Sequence, residues 1–122
     1  MLALEAALDK KALEPVLLDV QGRASYTDYI LVLSGRSDRQ VQAIAEAVQE
    51  SLRRNLGVHA IGIEGKRDGQ WTLIDFGDIV VHVFYHPIRD FYDLEGLWGD
   101  APRVHLQIPP ESRLQVTDAY GL

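Results

Sequence analysis

Asp75 and Asp78 stand three apart across Gly77, and two acids so placed could hold a divalent cation on oxygen ligands. Upstream, Ser34-Gly35-Arg36-Ser37 lies where a strand signal passes into a helix signal, a place where free helix amides can hold a phosphate. Together the two features describe a nucleotide-handling site, a nucleotidyl transferase using Asp75 and Asp78. Each also has a plainer reading. Aspartate beside a turn glycine is ordinary turn chemistry, and the glycine spacing matches neither a P-loop nor a dinucleotide fingerprint. His82 and His86 are four apart, a ligand spacing on a helix, but this segment reads as a strand, where that spacing separates residues by about 13 Å. His59 and His105 are isolated, and serines 25, 34, 37, 51 and 112 lack the context of a nucleophile elbow. These residues point to no cofactor, metal or small-molecule substrate, and an enzyme is not expected.

The elements that would position these residues begin with a hairpin. If Gly77-Asp78 is a two-residue loop, Phe76 pairs with Ile79, and Thr72, Ile74, Phe76, Ile79, Val81, Val83 and Tyr85 share one apolar face. The other face collects Trp71, Leu73, Asp75, Val80, His82 and Phe84. A tryptophan, an aspartate and a histidine together are awkward to bury without partners, so this is the candidate working face. A three-residue loop would shift the register by one and regroup both faces.

Around the hairpin, the spacing predicts a helix from Leu2 to Leu13 ended by Pro15. Strands are expected over Val16–Val20 and Asp28–Leu33, joined by the polar loop QGRASYT. Ser37 with Gln40 three residues on makes a capping box for a helix carrying Val41, Ile44, Ala45, Val48, Leu52 and Leu56, with Gly57 as its stop. A third strand is expected over His59–Ile63. Pro87 fits the first turn of a last helix with Ile88, Phe91, Leu94 and Trp98 as an inward stripe. The element order predicts an α/β (α+β) fold: a mixed five-stranded sheet with helices mainly on one face and the other face open. Residues 1–100 form the domain. Residues 101–122, with Pro109-Pro110 and no sustained period, read as a C-terminal extension, extended or ordered only against something.

Composition narrows the function. At 122 residues without cysteine, the chain is one domain able to bury roughly two-thirds of its unfolded surface, and it has neither disulfides nor zinc thiolates. No membrane-length apolar run or signal-peptide pattern is present, so a cytoplasmic location is expected. The formal charge is −6. Between Asp75 and Asp100 lie six acids (Asp75, Asp78, Asp90, Asp93, Glu95, Asp100) and one base, Arg89, which is five of those net charges. Such a surface repels phosphate backbones and attracts a basic protein.

Two stretches carry a resemblance: LDVQGRASYTDYILVLSGRSDRQVQAIAEAV from Leu18, and GIEGKRDGQWTLIDFGDIVVHVFYHPIRDFYDLEGLW from Gly62. Over about Leu2 to Asp100 the chain closely resembles the ribosomal silencing factor family, also called the Iojap family. The resemblance implies a nucleotidyltransferase-like fold without working catalytic acids. It implies binding to the large ribosomal subunit through large-subunit ribosomal protein fourteen, steric obstruction of small-subunit docking, and lowered translation when nutrients are scarce. A homodimer is also implied. Matched position by position, the implied partner-binding residues are Trp71, Asp75, Asp78 and His82 from the hairpin, with Tyr92 and Glu95 from the following helix. Direct RNA contact is expected to be minor, with Lys66 and Arg67 as its candidates.

Overall fold

The hairpin adopts the register of a two-residue turn. The Phe76 amide donates to the Ile79 carbonyl at 3.0 Å, and Gly77 has φ +90°, a conformation open to glycine at little cost. The structure, a computed structural model, describes residues 1–65 and 69–113. In chain order these form α1 (Leu2–Asp9), β1 (Leu13–Asp19), β2 (Tyr29–Gly35), α2 (Asp38–Leu56), β3 (Gly62–Glu64), β4 (Trp71–Asp75), β5 (Ile79–Tyr85), α3 (His86–Tyr92), α4 (Leu94–Leu97) and β6 (Arg103–Val104). The sheet order is β3-β4-β5-β2-β1-β6, with β2 and β5 parallel at the centre and the other neighbours antiparallel.

The first sheet face is the main core. Leu17, Leu31, Leu33, Ile74, Val81 and Val83 pack beneath α1 and α2, and the α2 stripe from Val41 to Leu52 is buried as its spacing predicts. The Ser37 hydroxyl accepts the Gln40 amide at 3.1 Å, and Gly57 closes α2 at φ +66°. Gln40 departs from the simple capping box. Its side chain accepts the Arg36 amide and donates to the carbonyls of Lys10 and Lys11, so the start of α2 satisfies the end of α1.

The first helix stops at Asp9 rather than Leu13, because Lys11 turns left-handed (φ +64°) and sends Ala12 and Leu13 into the core. Pro15 therefore lies inside β1, at the register irregularity between Leu13 and Val16, where no regular ladder bond is required of it. The third strand is shorter and later than expected. β3 is a three-residue, exposed edge.

The sheet has six strands, not five. The sixth, β6, comes from the C-terminal segment and pairs Arg103 and Val104 with Leu18 and Leu17 of β1. Nor is the second face bare. Leu18, Val20, Ile30, Val32, Phe84 and Ala101 form a smaller cluster there, roofed in part by Ile88 of α3, Leu94 of α4 and Trp98. The last helix is also broken. Asp93 takes φ +46°, ends α3 and starts α4, so the expected single stripe fails and Phe91 is 81% exposed. The segment holding Lys66 and Arg67, and residues 114–122 of the extension, lie outside the described residues.

Candidate partner-binding surface

Cross-strand pairing places Trp71 opposite Phe84 and Leu73 opposite His82 on the second face. The Trp71 ring stacks on Phe84 at 4.9 Å and meets Tyr92 of α3 at 4.6 Å, while its Nε1–H donates to His82 Nδ1 at 3.0 Å. Trp71 is thus a half-buried aromatic fixed on three sides and open on the remainder. Tyr92 is 52% exposed beside it.

His82 is only 5% exposed, and burial lowers its pKa from 6.5 to about 4. At neutral pH it is uncharged, and accepting at Nδ1 leaves its own proton on Nε2. Its place behind Trp71 makes it the group that orients the indole. In the unfolded chain the same imidazole protonates below about pH 6.5, so stability present above that pH is lost as pH falls toward 4. Urea melts at pH 7 and pH 4.5 are expected to show about 2–3 kcal/mol more loss in the wild type than in His82→Gln. Equal losses would remove the imidazole from this role.

Asp75 is half-buried, and its Oδ1 accepts the Gly77 amide at 2.8 Å, the turn-forming use of aspartate. Asp78 is exposed, and its carbonyl accepts the amides of Asp28 and Tyr29 at 3.1 Å each, which pins the turn to the start of β2. Tyr26, from the preceding loop, is 57% exposed with its phenol pKa raised by partial burial and then by the charge of Asp75. Its hydroxyl therefore borders this surface. No periodicity in QGRASYT points to it.

Glu95 stands differently. Both of its oxygens accept from Arg89, Nε to Oε1 and Nη2 to Oε2 at 3.1 Å each. Arg89, only 7% exposed, also donates from Nη1 to the Glu14 carbonyl at 2.7 Å and to Ser34 Oγ at 2.9 Å. The carboxylate of Glu95 is consumed in locking α3 and α4 to β1 and β2. The six residues therefore divide: Trp71, Tyr92, Asp75 and Asp78 present surface, His82 supports Trp71 from behind, and Glu95 is held by Arg89.

The nucleotide-like features resolve into packing. Ser34 is buried under Arg89, and a Cβ at Gly35 would lie 3.1 Å from both the Val41 amide nitrogen and Cγ2, so glycine lets β2 approach α2. The Arg36 and Gln40 amides are taken by Gln40 and Ser37 side chains. Among the described residues, no three acids or histidines gather to hold a metal ion, and no helix is long and apolar enough to cross a membrane.

Comparison with known proteins agrees with this architecture. The family described as "Ribosomal silencing factor during starvation" matches residues 1–119. A Bacillus subtilis protein named ribosomal silencing factor is 43% identical over 105 residues, covering 86% of this chain and 88% of that one. A crystal structure of a Chromobacterium violaceum protein superposes with a TM-score of 0.78 at 40% identity, covering 88% of each chain. A mouse protein named for mitochondrial assembly of the ribosomal large subunit is 32% identical over 85 residues, 67% of this chain and 37% of its own. The match over nearly the whole length, in sequence and in fold, means that the chain belongs to the ribosomal silencing factor family.

Proposed function

We propose that this protein binds the large ribosomal subunit through large-subunit ribosomal protein fourteen and, by occupying that ground, keeps the small subunit from docking, lowering translation under nutrient limitation. The observation that carries the reading is the Trp71 surface: a braced aromatic with one open side, next to Tyr92 and on the same sheet face as Asp75, with Asp78 in the turn at the far end of the hairpin. Specific protein contacts concentrate energy in such central aromatics, with charges at the rim setting orientation and encounter rate. Net negative charge on this quarter of the chain suits a basic ribosomal protein and disfavours direct contact with RNA. Obstruction of this kind requires no turnover and no cofactor, only a footprint on the order of 1,200–2,000 Å². The proposed location is the cytoplasm. A homodimer, if formed, would compete for the same face wherever it covers Trp71.

Sucrose-gradient sedimentation with separated subunits tests the proposal. The protein is expected to travel with large subunits and not with small ones, and to slow their joining in light scattering. Asp75→Lys places a like charge against the basic partner and is expected to weaken large-subunit binding at least tenfold at low salt, a difference that narrows as salt rises. Co-sedimentation with neither subunit, or unaltered blocking by Asp75→Lys, would refute the assignment.

A further inference from the structure

The break between α3 and α4 has a consequence for the surface beside it. A continuous helix would have turned Phe91 inward with Ile88 and Leu94. Instead Asp93, a non-glycine residue at φ +46° and ψ +53°, holds a conformation that ordinary residues rarely adopt. Its carboxylate accepts the Gly96 amide at 3.2 Å, and Gly96 has no room for a side chain, since a Cβ there would collide with Asp93 Oδ2. Two residue choices thus maintain the elbow. Its effect is that Phe91 and Leu97 stand 81% and 76% exposed on either side of it. Single exposed apolar residues are common, but Phe91 adjoins a candidate interface, packing edge-on against Tyr92 at 5.3 Å, which lies against Trp71 at 4.6 Å, and Leu97 ends the short helix on the other side of the elbow.

Charge identifies the occupant. Asp90 lies in α3, Asp93 forms the elbow and Asp100 follows α4 in the chain, and the one base between Asp75 and Asp100, Arg89, is occupied by Glu95. Arg103 shares a small cavity of about 230 Å³ with Asp90 but forms no ion pair with it among the described residues. We infer that the α3–α4 elbow is a second anchor point, at which Phe91 and Leu97 seat an apolar side chain carried on a Lys- or Arg-rich segment of the partner protein that meets Trp71. This rests on the proposed binding to the large subunit and names the chemistry of the segment that reaches beyond the hairpin. An acidic rim around two exposed apolar residues selects a basic amphipathic segment over nucleic acid or an acidic peptide.

Equilibrium co-sedimentation of the full chain with purified large subunits separates the outcomes. Phe91→Ala and Leu97→Ala are each expected to weaken binding about tenfold, and together by 30-fold or more, with thermal melting of each variant unchanged because both side chains face solvent. Leu97→Ala guards against any disturbance of Tyr92 by Phe91→Ala. Leu56→Ala, at a 62% exposed leucine ending α2, is expected to bind as wild type. If the double variant binds as tightly as wild type while Asp75→Lys binds weakly, the second anchor is wrong and the hairpin reading stands. If the wild type does not sediment with large subunits, both fall.

Discussion

Arg89→Ala is expected to lower the free energy of unfolding by about 3–5 kcal/mol, measured by urea denaturation at pH 7. The arginine makes a two-point contact with Glu95 and reaches a β1 carbonyl and a β2 hydroxyl, all within a region where its own side chain is 8% and that of Glu95 is 20% exposed. Truncation leaves a largely buried carboxylate without its counter-charge and removes the Arg89 hydrogen bonds to the Glu14 carbonyl and Ser34 Oγ, which costs more than the net worth of the pair. Domains of this size are stable by roughly 5–15 kcal/mol, so the variant would be marginal. Arg89→Lys should rescue little, because one ammonium cannot span two carboxylate oxygens, the Glu14 carbonyl and Ser34 Oγ together. Arg89→Met with Glu95→Leu should recover most of the loss, since removing both charges abolishes the unpaired one. A double variant no more stable than Arg89→Ala alone would show that the stranded carboxylate is not the main source of the loss.

The second large effect concerns binding. Trp71→Ala is expected to weaken large-subunit binding by about 2–4 kcal/mol, or roughly 30- to 1,000-fold, through loss of a central aromatic anchor. It should also reduce stability, because the indole fills space against Phe84 and Tyr92 and supplies the donor for His82. Trp71→Phe separates the two contributions. It keeps most of the stacked ring but lacks the Nε1–H, so it should bind within about tenfold of wild type while leaving His82 Nδ1 without its donor. Thermal melts of each variant, run beside the sedimentation, show whether weak binding comes from a folded protein. A folded Trp71→Ala that binds and blocks like wild type would place the contact elsewhere on the molecule.

Some of this was legible without coordinates. Alternation from Trp71 to Tyr85, with glycine able to take φ +90° at position 77, predicts the register that sorts Ile74, Phe76, Val81 and Val83 from Trp71, Asp75 and His82, and that sorting is observed. The α2 helix was equally legible, because Ser37, the apolar stripe and Gly57 act within a few residues of one another, although Leu56, expected to end the stripe, is exposed in the last turn. The first helix was not: the residues ending it, Lys11 and the distant Gln40, carry no local stop signal, whereas Pro15 does. The same limit hid the α3–α4 break. Nothing in RDFYDLEGLW distinguishes a straight amphipathic helix from one turned at Asp93, since Phe91 fits the stripe by spacing alone.

What the sequence determined by itself was the set of strongly periodic elements, the hairpin register and the concentration of acid between Asp75 and Asp100, all properties of neighbours in the chain. The tertiary structure alone decided how those residues are used. Burial kept His82 neutral and set it behind Trp71; the meeting of four segments made Arg89 a buried lock and tied Glu95 to it; β6 extended the sheet beyond β1. The reason is that local patterns fix backbone geometry over a few residues, whereas desolvation and charge pairing depend on which distant segments arrive at the same place.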